Sequence, residues 1–120
     1  MSPDAILREA LTPIVPTVVP HVYRGEDLEY ITYNYSTLPA LEAESAPRAA
    51  IHILQIHWYL PSAPEGSVND VNPNAKKLLI SAALADVFGV WPEIVDASDE
   101  DGQHYVFELQ AMEGGGYGPV

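Results

Sequence analysis

A chain of 120 residues with 17 acidic and 5 basic side chains, a net charge of -12, is too poor in lysine and arginine to grip nucleic-acid phosphates or an anionic lipid surface tightly. Its length is that of one domain and allows roughly two-thirds of the unfolded surface to be buried, so a core can form without staples. The absence of cysteine excludes a disulfide framework, a thiolate metal site and a cysteine nucleophile.

Residues 4–11 read as a short first helix, with Ser2 as cap, Pro3 in the first helical position and Pro13 as the stop. Residues 14–23 place Pro16 and Pro20 among valines, which predicts an extended segment or an edge strand rather than a central one. A turn at Gly25 to Asp27 follows. Residues 28–36 predict a strand with Ile31, Tyr33 and Tyr35 on one face and Tyr30, Thr32 and Asn34 on the other. Residues 37–48, with two prolines and little β-branching, read as a long connection or as a long hairpin with a mobile tip.

The longest apolar run, residues 49–60, ends at Pro61 and is the expected central strand. Alternation sends His52, Leu54, Ile56, Trp58 and Leu60 one way and Ile51, Ile53, Gln55, His57 and Tyr59 the other. Neither set is fully polar, so both faces are expected to be at least partly covered, one by a helix and one by a second layer or another subunit. The run is shorter than the about 20 residues that span a bilayer. Met1 to Asp4 lack the basic and apolar regions of a signal peptide, so a soluble protein is expected.

Residues 61–74 read as a surface loop. Asn72 then caps the main helix, with Pro73 just inside, and Gly89 ends it after Phe88. Its sheet-facing stripe is expected to be Ala75, Leu78, Leu79, Ala82, Ala83, Val87 and Phe88. A short strand over residues 93–97, a turn carrying the Asp101-Gly102 hairpin signal, and a last strand over residues 104–112 complete the pattern. Together these elements predict an α+β domain over residues 1–113, with a mixed or mostly antiparallel sheet of about four to five strands, two main helices packed on it, and a flexible glycine-rich tail at residues 114–120.

No chemical motif dominates. His52 and His57 point to opposite faces of one strand and cannot share an ion without another strand's help; His21 and His104 are isolated in sequence. Asp99, Asp101, Gly102 and Glu108 match part of a calcium loop, but Ala97 stands at its first ligand position and a strand pattern follows where a helix is needed. Gly114 to Gly116 lack the lysine and helix start of a phosphate loop. No catalytic, cofactor-binding or metal residues are assigned, and no enzyme is expected.

Trp91-Pro-Glu93 and the run Asp99-Glu-Asp-Gly-Gln-His-Tyr-Val-Phe-Glu108 close a strand–helix–strand unit. With Glu29-Tyr-Ile-Thr-Tyr-Asn-Tyr35 and His57-Trp-Tyr-Leu60, this unit resembles the minor tail and tail-completion proteins of long-tailed phages and prophages, and is similar in length and element order to tail terminators. The resemblance spans most of residues 28–114. It implies helices on one side of the sheet and a ring of six copies that sits on the last tail-tube ring and faces the head connector. The partners would be copies of itself, the tail tube protein and the head connector protein; the protein would be made in the host cytoplasm and end in the virion tail. The expected subunit interface is Tyr30, Thr32, Tyr33, Tyr35, His57 and Tyr59. A head-completion or connector protein is one alternative. A small-molecule-binding or enzymatic domain, with His57 and Tyr59 in a pocket, is another.

Overall fold

The computed structural model describes residues 3–43, 46–61 and 73–113. In chain order they form α1 (Pro3–Leu11), β1 (Val18–Pro20), β2 (Tyr30–Ala43), β3 (Ala46–Leu60), α2 (Pro73–Phe88), β4 (Glu93–Asp96) and β5 (Gln103–Glu113). The five strands make one mixed sheet of order β1-β2-β3-β5-β4, in which β1 runs parallel to β2 and every other pair is antiparallel. Two helices pack on it, so the fold is α+β, and β3 is central as its apolar run requires. No helix among the described residues is long and apolar enough to cross a membrane.

All the buried sheet side chains of the main core lie on one face. Ile31 and Tyr33 of β2, Leu54, Ile56, Trp58 and Leu60 of β3, and Tyr105, Phe107, Leu109 and Ala111 of β5 meet Leu7 and Leu11 of α1 and Ile80, Leu84 and Phe88 of α2. The indole of Trp58 is fully buried, and its N–H donates to Glu29 Oε2 at 3.0 Å. Lys76 Nζ lies 2.8 Å from both oxygens of Glu29, so one carboxylate, just before β2, ties α2 to the last residues of β3. Lys77 Nζ stands 4.0 Å over the ring of Tyr105, which adds a cation–π contact between α2 and β5. At the other helix, the hydroxyl of Tyr33 donates to Asp4 and accepts from Arg8 Nε at 3.1 Å.

The main helix keeps its expected bounds but not its expected face. Leu78 and Leu79 are 64% and 56% exposed, and Ala75 and Ala82 are exposed too, while Ile80, Ser81, Leu84 and Phe88 are buried. The helix is apolar almost all round, so spacing alone did not single out the core side; the anchors at Lys76 and Lys77 fix its rotation. Gly89 has φ +74 and ends the helix in the left-handed conformation that glycine adopts without strain. The cap at Asn72, the loop before it and the Ser2 cap lie outside the described residues.

Of the two readings of residues 37–48, the long hairpin is the one the structure has, and the open connection is not. β2 and β3 stay paired from Tyr30↔Tyr59 to Ala43↔Ala46, with irregular register between Pro39 and Glu42. The expected mobile tip falls at residues 44–45, and the expected flexible tail at 114–120; both lie outside the described residues. At ~3.3 Å per residue, strands of 14 and 15 residues reach about 45–50 Å, against about 24 Å for the 16 residues of α2. The hairpin therefore runs well past the helices that cover its base. Residues 14–23 do form an edge: β1 is short, and His21, at φ 63, closes a γ-turn in which Val22 N–H donates to Pro20 O at 2.8 Å. The last turn is centred one residue earlier than Asp101-Gly102, since Asp99 and Gly102 bridge across Glu100 and Asp101.

Ser81 Oγ is buried with no hydrogen-bond partner among the described residues. Ser81→Ala removes that unsatisfied hydroxyl and adds helix propensity, so it is expected to stabilise the fold by about 1 kcal/mol in urea unfolding. Leu84→Ala, from a fully buried site, is expected to cost about 2–5 kcal/mol, while Leu79→Ala stays within about 0.5 kcal/mol.

Candidate functional site: the uncovered sheet face

Among the described residues the second face of the sheet carries no helix. Its side chains line up in rungs because the register is continuous across three strands. Tyr30, Tyr59 and His104 form the first rung, Thr32, His57 and Val106 the second, Asn34, Gln55 and Glu108 the third, and Ser36, Ile53 and Gln110 the fourth. β4 extends the second and third rungs with Val95 and Glu93. Val95 is 48% exposed and Ile53 37%, while Thr32 and Val106 are buried.

The first rung is a row of stacked rings. Tyr30 stacks on Tyr59 at 4.7 Å between centroids, Tyr59 stacks on His104 at 4.2 Å, and Tyr23 from the loop before β2 tilts onto Tyr30 at 4.7 Å. His57 completes the cluster: its Nδ1 lies 2.9 Å from His104 Nε2, so one ring donates its N–H to the other. Burial lowers the pKa of His57, and the neighbouring His104 lowers it further against the opposing pull of Glu108. Burial also lowers that of His104, against Asp99 and Asp96. Burial raises the Tyr30 phenol, helped by Tyr59 and Tyr23. The cluster is thus a neutral aromatic platform at pH 7, able to stack, to hydrogen-bond through its phenols and imidazoles, and to receive cations on its ring faces.

At the end of the row a groove of about 400 Å³ opens between Tyr30, Tyr59 and His104 on one side and Asp27, Asp99 and Asp101 on the other. Asp99 and Asp101 sit in the β4–β5 turn, where Asp99 Oδ1 accepts from Asp101 N–H at 2.9 Å. Glu108 lies further along β5 beside Gln55, whose Nε2 reaches it at 3.4 Å. The partial calcium pattern therefore does not converge on a point. Among the described residues no group of three or more histidine or carboxylate side chains is placed to hold a metal.

The expected interface residues divide between the two faces. Tyr30, Thr32, His57 and Tyr59 lie on the uncovered one, with Thr32 only 4% exposed. Tyr33 does not belong with them: it faces α1, is 1% exposed and is held by Asp4 and Arg8. Its odd position, shared with Ile31, already carried that parity. Tyr35 is on the helix side too, but beyond the helices, 37% exposed and edge-on to His52. His52 is buried there, with Nδ1 2.8 Å from Thr37 Oγ1. His104 and Tyr23 were missed as members of the row. Finding His104 required the β3–β5 register, which a separation of 47 residues from His57 conceals.

A scan against protein-family models gave no match, and no curated protein matches the sequence.

Because burial holds both imidazoles below the usual value of about 6.5, the folded chain binds fewer protons than the unfolded one just below that value, and stability rises with pH there. The contribution is complete above about pH 6.5 and lost as pH falls toward the folded values. The thermal midpoint is expected to be lower at about pH 5.5 than at about 7.5, and the His57→Gln, His104→Gln double variant to show a smaller drop, as read by circular dichroism.

Proposed function

We propose that the chain is a structural assembly protein of a long-tailed phage or prophage, a tail terminator whose copies form a ring that caps the tail tube and joins it to the head connector. The observation that carries this reading is the one-sided sheet: the helices cover one face, and the other presents a row of tyrosines and histidines with no helix upon it among the described residues. Aromatic side chains that bring large area at low conformational cost are the usual anchors of protein interfaces. The long β2–β3 hairpin supports the same reading, since past Ala50, where β5 ends, only two strands remain, and a two-stranded ribbon is marginal in water and gains from a neighbour. A net charge of -12 suits a passage through which DNA slides without sticking. In this reading the chain transforms no molecule and needs no cofactor.

Electron microscopy of the protein mixed with open-ended tail tubes of a long-tailed phage tests the proposal. Added density at one tube end is expected. Bare tube ends would contradict it, and density on portal rings instead would favour a head-completion role. Tyr30→Lys is expected to weaken tube capping about tenfold or more, because it places a charge in the aromatic row, while the thermal midpoint moves by only a few degrees. Capping at undiminished affinity by that variant would remove the row from the interface.

A further inference from the structure

We propose that the groove at the end of the aromatic row is a docking site for an arginine side chain carried by a partner protein. The site does not require the ring: any protein that presents an arginine there would fit.

The groove brings two chemistries together. One wall is the row of Tyr30, Tyr59 and His104, with Leu28 and Leu60 beside it. The other carries three carboxylates, Asp27, Asp99 and Asp101. Their oxygens are only partly used: Thr17 Oγ1 donates to Asp27 Oδ2, and Asp101 N–H donates to Asp99 Oδ1 at 2.9 Å. Among the described residues none of the three makes an ion pair, and no lysine or arginine lines the groove. A cation that enters relieves their mutual repulsion. The frame is set before anything binds. Asp27 N–H donates to the Tyr23 hydroxyl at 3.0 Å, Tyr23 tilts onto Tyr30, and His104 N–H donates to Ser98 Oγ at 2.9 Å.

The chain has no basic side chain of its own for this place. Arg8 is held by Asp4 and Tyr33, Lys76 by Glu29, and Lys77 lies over Tyr105. Arg24 is exposed and is not part of the lining. Arg48 belongs to β3 near the hairpin tip, about 36 Å along the strand from Tyr59. These are all five basic residues, so residues 62–72, which continue the chain from Pro61 at the groove, contribute none.

Arginine satisfies both walls. Its apolar stem and flat, weakly hydrated guanidinium pack against rings, and its fork of N–H donors serves carboxylates in pairs. A lysine ammonium is a compact, strongly hydrated charge and gains less from an aromatic wall. A quaternary ammonium needs rings on several sides, whereas these form one row. A metal ion needs ligands that converge, and these do not.

The probes are short peptides, acetyl-Gly-X-Gly-amide, in which X is arginine, lysine or citrulline; citrulline keeps the shape of arginine without its charge. Each is titrated into the nitrogen-15-labelled full chain at low salt. The arginine peptide is expected to shift the backbone amide signals of Tyr30, Tyr59, Asp101 and His104, and to bind about threefold more tightly than the lysine peptide and about tenfold more tightly than the citrulline one. Asp27→Asn, Asp99→Asn and Asp101→Asn together remove the charge and keep the oxygens that Thr17 and the Asp101 amide use. In that variant arginine binding is expected to fall about tenfold while circular dichroism shows an unchanged fold. Tyr59→Leu keeps the charge and removes one ring, and is expected to bring the arginine peptide down to the affinity of the lysine one. Absence of shifts at the groove, equal binding of the citrulline peptide, or full affinity in the asparagine variant would each overturn the site. Equal binding of the lysine and arginine peptides would overturn the choice of arginine. Tighter binding of free arginine than of its peptide would make the groove a small-molecule site, and self-association that disappears in Arg24→Gln would give it to a second copy; either result overturns the partner.

Discussion

The alternation of β3 governs the molecule. A strand sends successive side chains to opposite sides, so Trp58 and His57 cannot share an environment. Trp58 goes to the helix side with Leu54, Ile56 and Leu60, where Glu29 satisfies its indole N–H and Lys76 neutralises Glu29. His57 goes to the other side with Gln55 and Tyr59, where no helix lies among the described residues. Fixing which residues are inside also fixes which remain outside. A register slip of one residue would exchange the two sets and destroy both the core and the aromatic row.

Two consequences follow from placing both helices on one face. The core is closed by a single layer, so α2 need use only part of its apolar circumference, and Leu78 and Leu79 remain in solvent. The sheet is also longer than its cover. Core side chains of β2 and β3 end near Tyr33 and Leu54, whereas the strands continue to the hairpin tip. The overhanging section has backbone pairing along its middle strand, flanking edges with no further strand among the described residues, and half-exposed Tyr35 and Ile53 on opposite faces. A section built in this way contributes little to a lone domain's stability, but it offers main-chain and apolar groups to a neighbour.

Much of this was legible in the sequence where local pattern and tertiary structure agree. The faces of β3 and β5, the edge character of the segment around Pro20, and the end of α2 at Gly89 all follow from alternation or from single-residue backbone rules. What stayed open or failed has physical causes. Residues 37–48 read equally as a connection or a hairpin, because Pro39, Pro47 and the alanines near the tip are poor strand formers that pairing across the hairpin keeps extended. The rotation of α2 depends on Lys76 and Lys77 finding Glu29 and Tyr105, long-range contacts that an almost uniformly apolar helix does not announce. Tyr33 was grouped with Tyr30 by residue type although its parity placed it with Ile31. The row itself needs the register of three strands before Tyr30, Tyr59 and His104 can be seen as neighbours.

The central claim is that one flank of β3 is sealed and the other is not, and the two tryptophans make it measurable. Trp58 is fully buried and Trp91 is 57% exposed. In a Trp91→Phe variant, the remaining fluorescence should be blue-shifted and nearly untouched by acrylamide, whereas a Trp58→Phe variant should be quenched almost as readily as a free indole. Ready quenching of Trp58 in the folded chain would contradict the account, because the core would then not lie where the alternation of β3 puts it.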